Sequence, residues 1–161
     1  SQALSNGRKM SRKYYNNEIS VDEIKRFLIL IDECQNVING NNPRLVEYIT
    51  TFQREMRKFF AGIIFATQSP QEILPDGNDS QVISKLKQVF ELTQYKFLLR
   101  LDQSVNEKMR NTLGDIIKES EYDLIPQLSQ GQVLLSIQGA NNLVFNTRPT
   151  QQQLNRFKGG M

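Results

Sequence analysis

Five consecutive apolar residues, Phe27-Leu28-Ile29-Leu30-Ile31, do not alternate with polar ones. An unbroken run of that length predicts a strand covered on both faces, as in a parallel sheet. Ile63-Ile64-Phe65-Ala66-Thr67 is a second run of the same character. Between them, Asn39-Gly40-Asn41-Asn42-Pro43 reads as a loop, with Asn42 suited to cap a helix and Pro43 to open it. Leu45, Ile49, Phe52, Met56 and Phe59 or Phe60 then recur at spacings of three and four, which predicts one apolar helix face. Gly77-Asn78-Asp79-Ser80 predicts a turn, and Val82, Ile83 and Leu86 a short helix. Phe97-Leu98-Leu99 is a third strand candidate. Ser104 and Glu107 predict a capping box for a helix that Gly114 ends. Residues 131–137 and Leu143-Val144-Phe145 predict a closing hairpin that turns near residues 139–142. Leu154 to Phe157 predicts a short helix or tail, with Gly159-Gly160-Met161 loose.

Strands alternating with helices predict an α/β fold, its sheet mainly parallel and edged by antiparallel strands. Residues 1–24 form a basic lead with Arg8, Lys9, Arg12 and Lys13, expected to be loop or partly disordered. No apolar stretch follows those charges, so a signal peptide is not expected. Residues 25–150 carry the pattern of one domain, and 151–161 read as a tail.

Composition removes several chemistries. The 161 residues include no histidine and one cysteine, which excludes histidine-based catalysis, most zinc sites and a disulfide framework. Twenty basic against 17 acidic residues give a net charge of +3 and a pI near 9.0. That balance allows a nucleic-acid or acidic-lipid partner without arguing for one.

The first apolar run ends in Asp32-Glu33. In open α/β sheets ligands bind beyond the carboxyl ends of the strands. A carboxylate there suits a hydrated magnesium ion, and a second one beside it suits removal of a proton from an attacking water. This is the Walker B arrangement, with Asp32 on the metal and Glu33 as base; an acidic strand cap gives the same two letters. The second run ends in Gln68, whose amide suits sensing a γ-phosphate or orienting water. Cys34 has no histidine to activate it and reads as a packed thiol. Tyr14-Tyr15, beside four basic residues, is a stretch that could stack on bases.

As a set, Phe27 to Glu33, Arg57-Lys58 and residues 63–70 (IIFATQSP) resemble the HerA–FtsK superfamily of RecA-like motor ATPases. Residues 99–104 (LRLDQS) and 128–135 (LSQGQVLL) resemble the conjugative, TraC-like type IV secretion ATPases within it. The resemblance runs from about residue 25 to 150. It implies a RecA-like P-loop NTPase fold, a three-layer sandwich with a mainly parallel sheet that ends in an antiparallel hairpin. It also implies ATP and Mg2+ as ligands, a hexameric ring of copies, and active sites between subunits. Arg57, in the family's Arg-Lys position, is implied as the arginine reaching the neighbouring site, with Arg54 as fallback. Further implied partners are other secretion or conjugation channel components and DNA, with peripheral association at the cytoplasmic face of a bacterial membrane.

Two departures stand against that pattern. Phe60 sits where relatives often carry glycine. No G-x-x-x-x-G-K-[ST] occurs in the 161 residues, so the phosphate-cradling loop and its lysine are missing. The chain is therefore expected to be the C-terminal portion of a longer protein, inactive by itself. A DNA pump of the FtsK or HerA kind and a non-catalytic interaction domain of the same fold are the alternatives.

Overall fold

The two apolar runs do form strands, and they pair. β1 (Phe27–Ile31) and β2 (Ala61–Phe65) run parallel, with Phe27 opposite Ala61 and Ile31 opposite Phe65. The computed structural model describes residues 2–73 and 80–156, and the chain divides into two units, Ser1–Thr93 and Gln94–Met161. The fold is mixed α/β, with a two-stranded parallel sheet in the first unit and a three-stranded antiparallel sheet in the second.

In the first unit, helix α1 (Gln2–Tyr15) precedes β1. The basic lead expected as loop is therefore helical. Among its residues of described burial, the packing face carries small residues: Gly7 and Ser11 are buried and Tyr14 is half-buried. A Cβ on Gly7 would stand 3.0 Å from the Phe59 Cβ and 3.1 Å from the Phe59 carbonyl, so glycine permits the close approach. Tyr14 meets Phe60 edge to face at 5.6 Å, and Arg8 lies over the Phe59 ring.

Helix α2 (Pro43–Glu55) opens on Pro43 and continues as a tight 3₁₀ turn over Met56–Phe59. Asn42 takes the N-cap position without a side-chain cap hydrogen bond. The buried face is Val46, Ile49, Thr50, Phe52 and Gln53, turned from the predicted one, and Leu45 is exposed. Gln53 lies against α4, donating to the carbonyl of Val89 and to Thr93. Helix α3 (Pro70–Ile73) follows β2 directly. The turn expected at Gly77-Asn78-Asp79 lies outside the described residues. The short helix predicted after it runs on to Leu92 as α4 (Ser80–Leu92). The core joins Cys34, Ile38, Val46, Ile49, Ile73, Leu86 and Val89, with Ile31 and Phe65 packed against them.

One expectation for β1 is corrected. It is not covered on both faces, because Leu28 and Leu30 are 63% and 65% exposed while Phe27, Ile29 and Ile31 are half-buried. Ile64 of β2 is exposed as well, so among the described residues of this unit nothing covers one face of the parallel pair.

In the second unit, β3 (Tyr95–Leu98) pairs antiparallel with β4 (Gln132–Ile137), which pairs antiparallel with β5 (Leu143–Asn146). The closing hairpin is present, and the third strand candidate joins it. Helix α5 (Gln103–Leu113) has Asp102, not Ser104, at its N-cap position, without a side-chain cap hydrogen bond, and ends at Gly114 with φ +54. Helix α6 (Glu119–Leu124), not foreseen, buries Tyr122, whose hydroxyl donates to the Gly114 carbonyl. Burial pushes that phenol up to about 12. Helix α7 (Gln151–Arg156) is the last described element, and Phe157 with the expected loose end lies outside the described residues.

Candidate site at the carboxyl edge of the parallel pair

Backbone pairing continues past both strands and fixes the turn that follows. The Ala66 amide donates to the Ile31 carbonyl at 2.9 Å, and the Cys34 amide donates to the Ala66 carbonyl at 2.9 Å. Between those ties, Glu33 adopts left-handed backbone, φ 47 and ψ 49. A non-glycine residue there costs on the order of 1 kcal/mol or more, so the surroundings must hold it. Cys34 and Ile38, both buried in the core, anchor the far side of the turn. Asp32 is exposed and accepts the Glu33 amide through Oδ1 at 3.0 Å.

The Glu33 carboxylate faces β2. Gln68 Nε2 donates to its Oε1 at 2.8 Å, and Gln35 Nε2 donates to its Oε2 at 2.7 Å. The Thr67 hydroxyl in turn donates to Gln35 Oε1 at 2.6 Å and accepts the Ser69 amide at 3.0 Å. The structure thus brings Glu33 and Gln68 together, with Asp32 adjacent in the chain. The sequence reading did not single out Gln35, and it gave Thr67 no role. Their only sequence signal is polarity beside motif residues, in the runs Asp-Glu-Cys-Gln and Ala-Thr-Gln.

Arg57 lies elsewhere. It precedes β2 and is exposed, whereas Glu33 and Gln68 follow the strands. Five strand residues separate the two edges, roughly 16 Å at about 3.3 Å per residue. Arg54, the fallback, donates to Gln88 of α4 at 3.0 Å. At the same amino edge, Arg8, Arg12, Lys58, Glu55 and Tyr15 help to line a cleft of about 600 Å³. Arg8 pairs with Glu55 at 3.7 Å there.

Among the described residues no three potential metal-ligating side chains converge. Magnesium keeps several waters and needs only one or two carboxylates besides phosphate oxygens. Glu33 already accepts two amides, so Asp32 is the carboxylate that fits such an ion. Cys34 is no candidate nucleophile: burial, reinforced by the charges of Glu33 and Asp32, pushes its thiol up to about 11. Among the described residues, no helix is long and apolar enough to cross a membrane.

Comparison with known proteins adds three findings. No protein-family model matches the chain. An uncharacterized protein of Bacillus anthracis is 44% identical over 162 residues, which cover 99% of this chain and 25% of that protein. The chain thus spans about a quarter of the length of that relative. VirB4 of Thermoanaerobacter pseudethanolicus has a similar structure, with a TM-score of 0.66 and 16% identity over 91% of this chain and 38% of that one. That likeness is one of fold, and it takes in elements of both units.

Proposed function

We propose that this chain is the C-terminal part of a RecA-like motor ATPase domain of the conjugative type IV secretion kind. One observation carries the reading: a carboxylate at the carboxyl edge of one parallel strand is held by an amide from the adjacent strand. Ligand sites of open α/β sheets lie at that edge. The VirB4-like fold supports the same reading. Asp32 holds the hydrated magnesium ion, which supplies charge neutralisation at the phosphates. Glu33 removes the proton from the attacking water, and Gln68 contacts the γ-phosphate or orients that water. Arg57, at the opposite edge, serves the site of a neighbouring copy in a ring. The phosphate-cradling loop comes from residues other than these 161. Transport of DNA, contact with channel components and work at the cytoplasmic face of a bacterial membrane belong to this same reading. A non-catalytic domain of the same fold is the second reading, favoured by the missing phosphate loop.

The test is steady-state ATP hydrolysis by the full-length protein. Glu33→Gln lowers turnover by about 10²–10⁴ while nucleotide binding persists. Parental turnover in that variant makes Glu33 a strand cap and removes the mechanism. The 161-residue chain alone shows no tight ATP binding by calorimetry.

A further inference from the structure

The polarity of the hydrogen bonds around Glu33 is determined by their starting point. The Ser69 amide can only donate, and it donates to the Thr67 hydroxyl oxygen. The Glu33 carboxylate can only accept, so the amide oxygen of Gln35 is left facing Thr67 and takes the hydroxyl hydrogen. The other end of that amide is its NH2 group, and it meets Glu33 Oε2. Gln35 is 8% exposed, and its backbone carbonyl accepts the Asn39 side chain at 2.7 Å. Gln68, the other donor to Glu33, is exposed. One arm of the clamp is therefore built into the turn, and the other lies at the surface.

We propose that Gln35 is a positioning residue. Oriented by Thr67, it holds one oxygen of Glu33 so that the carboxylate keeps its direction when Gln68 lets go of the other. This rests on Glu33 acting as the base, as proposed above. When Gln68 turns its amide to the phosphate, Glu33 Oε1 becomes the oxygen open to water. Without Gln35 the carboxylate would turn freely at that moment, on a left-handed backbone that offers it no other side-chain hydrogen-bond donor among the described contacts. Misplacement of a reacting group by about 1 Å can cost up to about 10²-fold in rate.

Two arms of one experiment test this. In the 15N-labelled chain, the side-chain amide resonances of Gln35 and Gln68 both move on Glu33→Ala, and Thr67→Val moves those of Gln35 alone. In the full-length protein, Gln35→Leu lowers kcat about 10-fold to 10²-fold while KM for ATP stays within about twofold. Thr67→Val lowers kcat less, and the double variant is no slower than Gln35→Leu, because both changes cut one chain of bonds. Gln35 resonances that ignore Glu33→Ala, or parental kcat in a folded Gln35→Leu variant, would overturn the proposal. A wild-type protein without ATPase activity removes the ATPase reading instead, and the NMR arm still decides whether Gln35 fixes Glu33.

Discussion

The two edges of the β1–β2 pair solve one backbone problem with different materials. Each holds a non-glycine residue in left-handed conformation, Glu33 at the carboxyl edge and Phe60 at the amino edge. At the carboxyl edge short polar side chains close a directional network on a carboxylate, with bonds of 2.6–3.0 Å. At the amino edge Phe60 packs against the Tyr14 ring, and Arg8, Arg12 and Lys58 line a cleft with Phe59 beside it in the chain. Directional bonds fix an atom in space, as a reacting group requires. Ring packing fixes a surface, and Arg8 lies on it, over the Phe59 ring and paired with Glu55. The proposed roles follow that difference, with chemistry at the carboxyl edge and reach to a neighbouring copy at the amino edge.

The largest expected separation of the two edges comes from Asp32→Asn. In the full-length protein it raises the magnesium concentration needed for half-maximal nucleotide binding by about 10-fold to 100-fold, the usual worth of a group acting through metal-bound water. Gly7→Leu acts only at the amino edge. The new side chain meets Phe59 backbone and Cβ, so α1 loses its seat at about 1–3 kcal/mol, read as a lower urea midpoint. Side-chain amide signals of Gln35 and Gln68 stay in place; their loss would join the two edges into one unit.

Position 60 gives a smaller and sharper effect. Phe60→Gly and Phe60→Ala both lose the Tyr14 contact, but only glycine relieves the left-handed strain at φ 54. The glycine variant is therefore more stable than the alanine variant by about 1 kcal/mol in urea unfolding. Equal midpoints would mean that Phe60 is not strained. The smallest effect is in pH. Burial keeps the Cys34 thiol neutral in the folded chain, pushed up from its ordinary value near 9.0 to about 11. Between those values the unfolded chain gives up a proton that the folded one keeps, so stability falls as pH rises from about 9 to about 11. Cys34→Ala has a shallower decline over that window; identical slopes would place the thiol in contact with water.

Much of the frame was legible in the sequence. Each described strand overlaps its apolar run, because the runs report burial along consecutive residues. Glu33 and Gln68 were legible because each ends such a run. Helix α1 was not, since its buried residues of described burial are Gly7 and Ser11, whose value depends on Phe59 some fifty residues on. Gln35 was missed for a related reason: its partner Thr67 lies 32 residues away, and spacing alone does not pair them. The open face at Leu28 and Leu30 is not legible, because an unbroken apolar run reports what a strand can bury and not what lies over it.

The central claim is that the carboxyl edge works within one copy and the amino edge on its neighbour. Mixing Glu33→Gln with Arg57→Ala full-length protein in equal amounts tests it most directly. Each variant alone has lost one half of every site. In mixed rings, roughly a quarter of the sites pair an intact Glu33 with an intact neighbouring Arg57. The account predicts that ATP turnover of the mixture rises to roughly a quarter of the parental rate. A mixture no more active than the better of the two variants would contradict it.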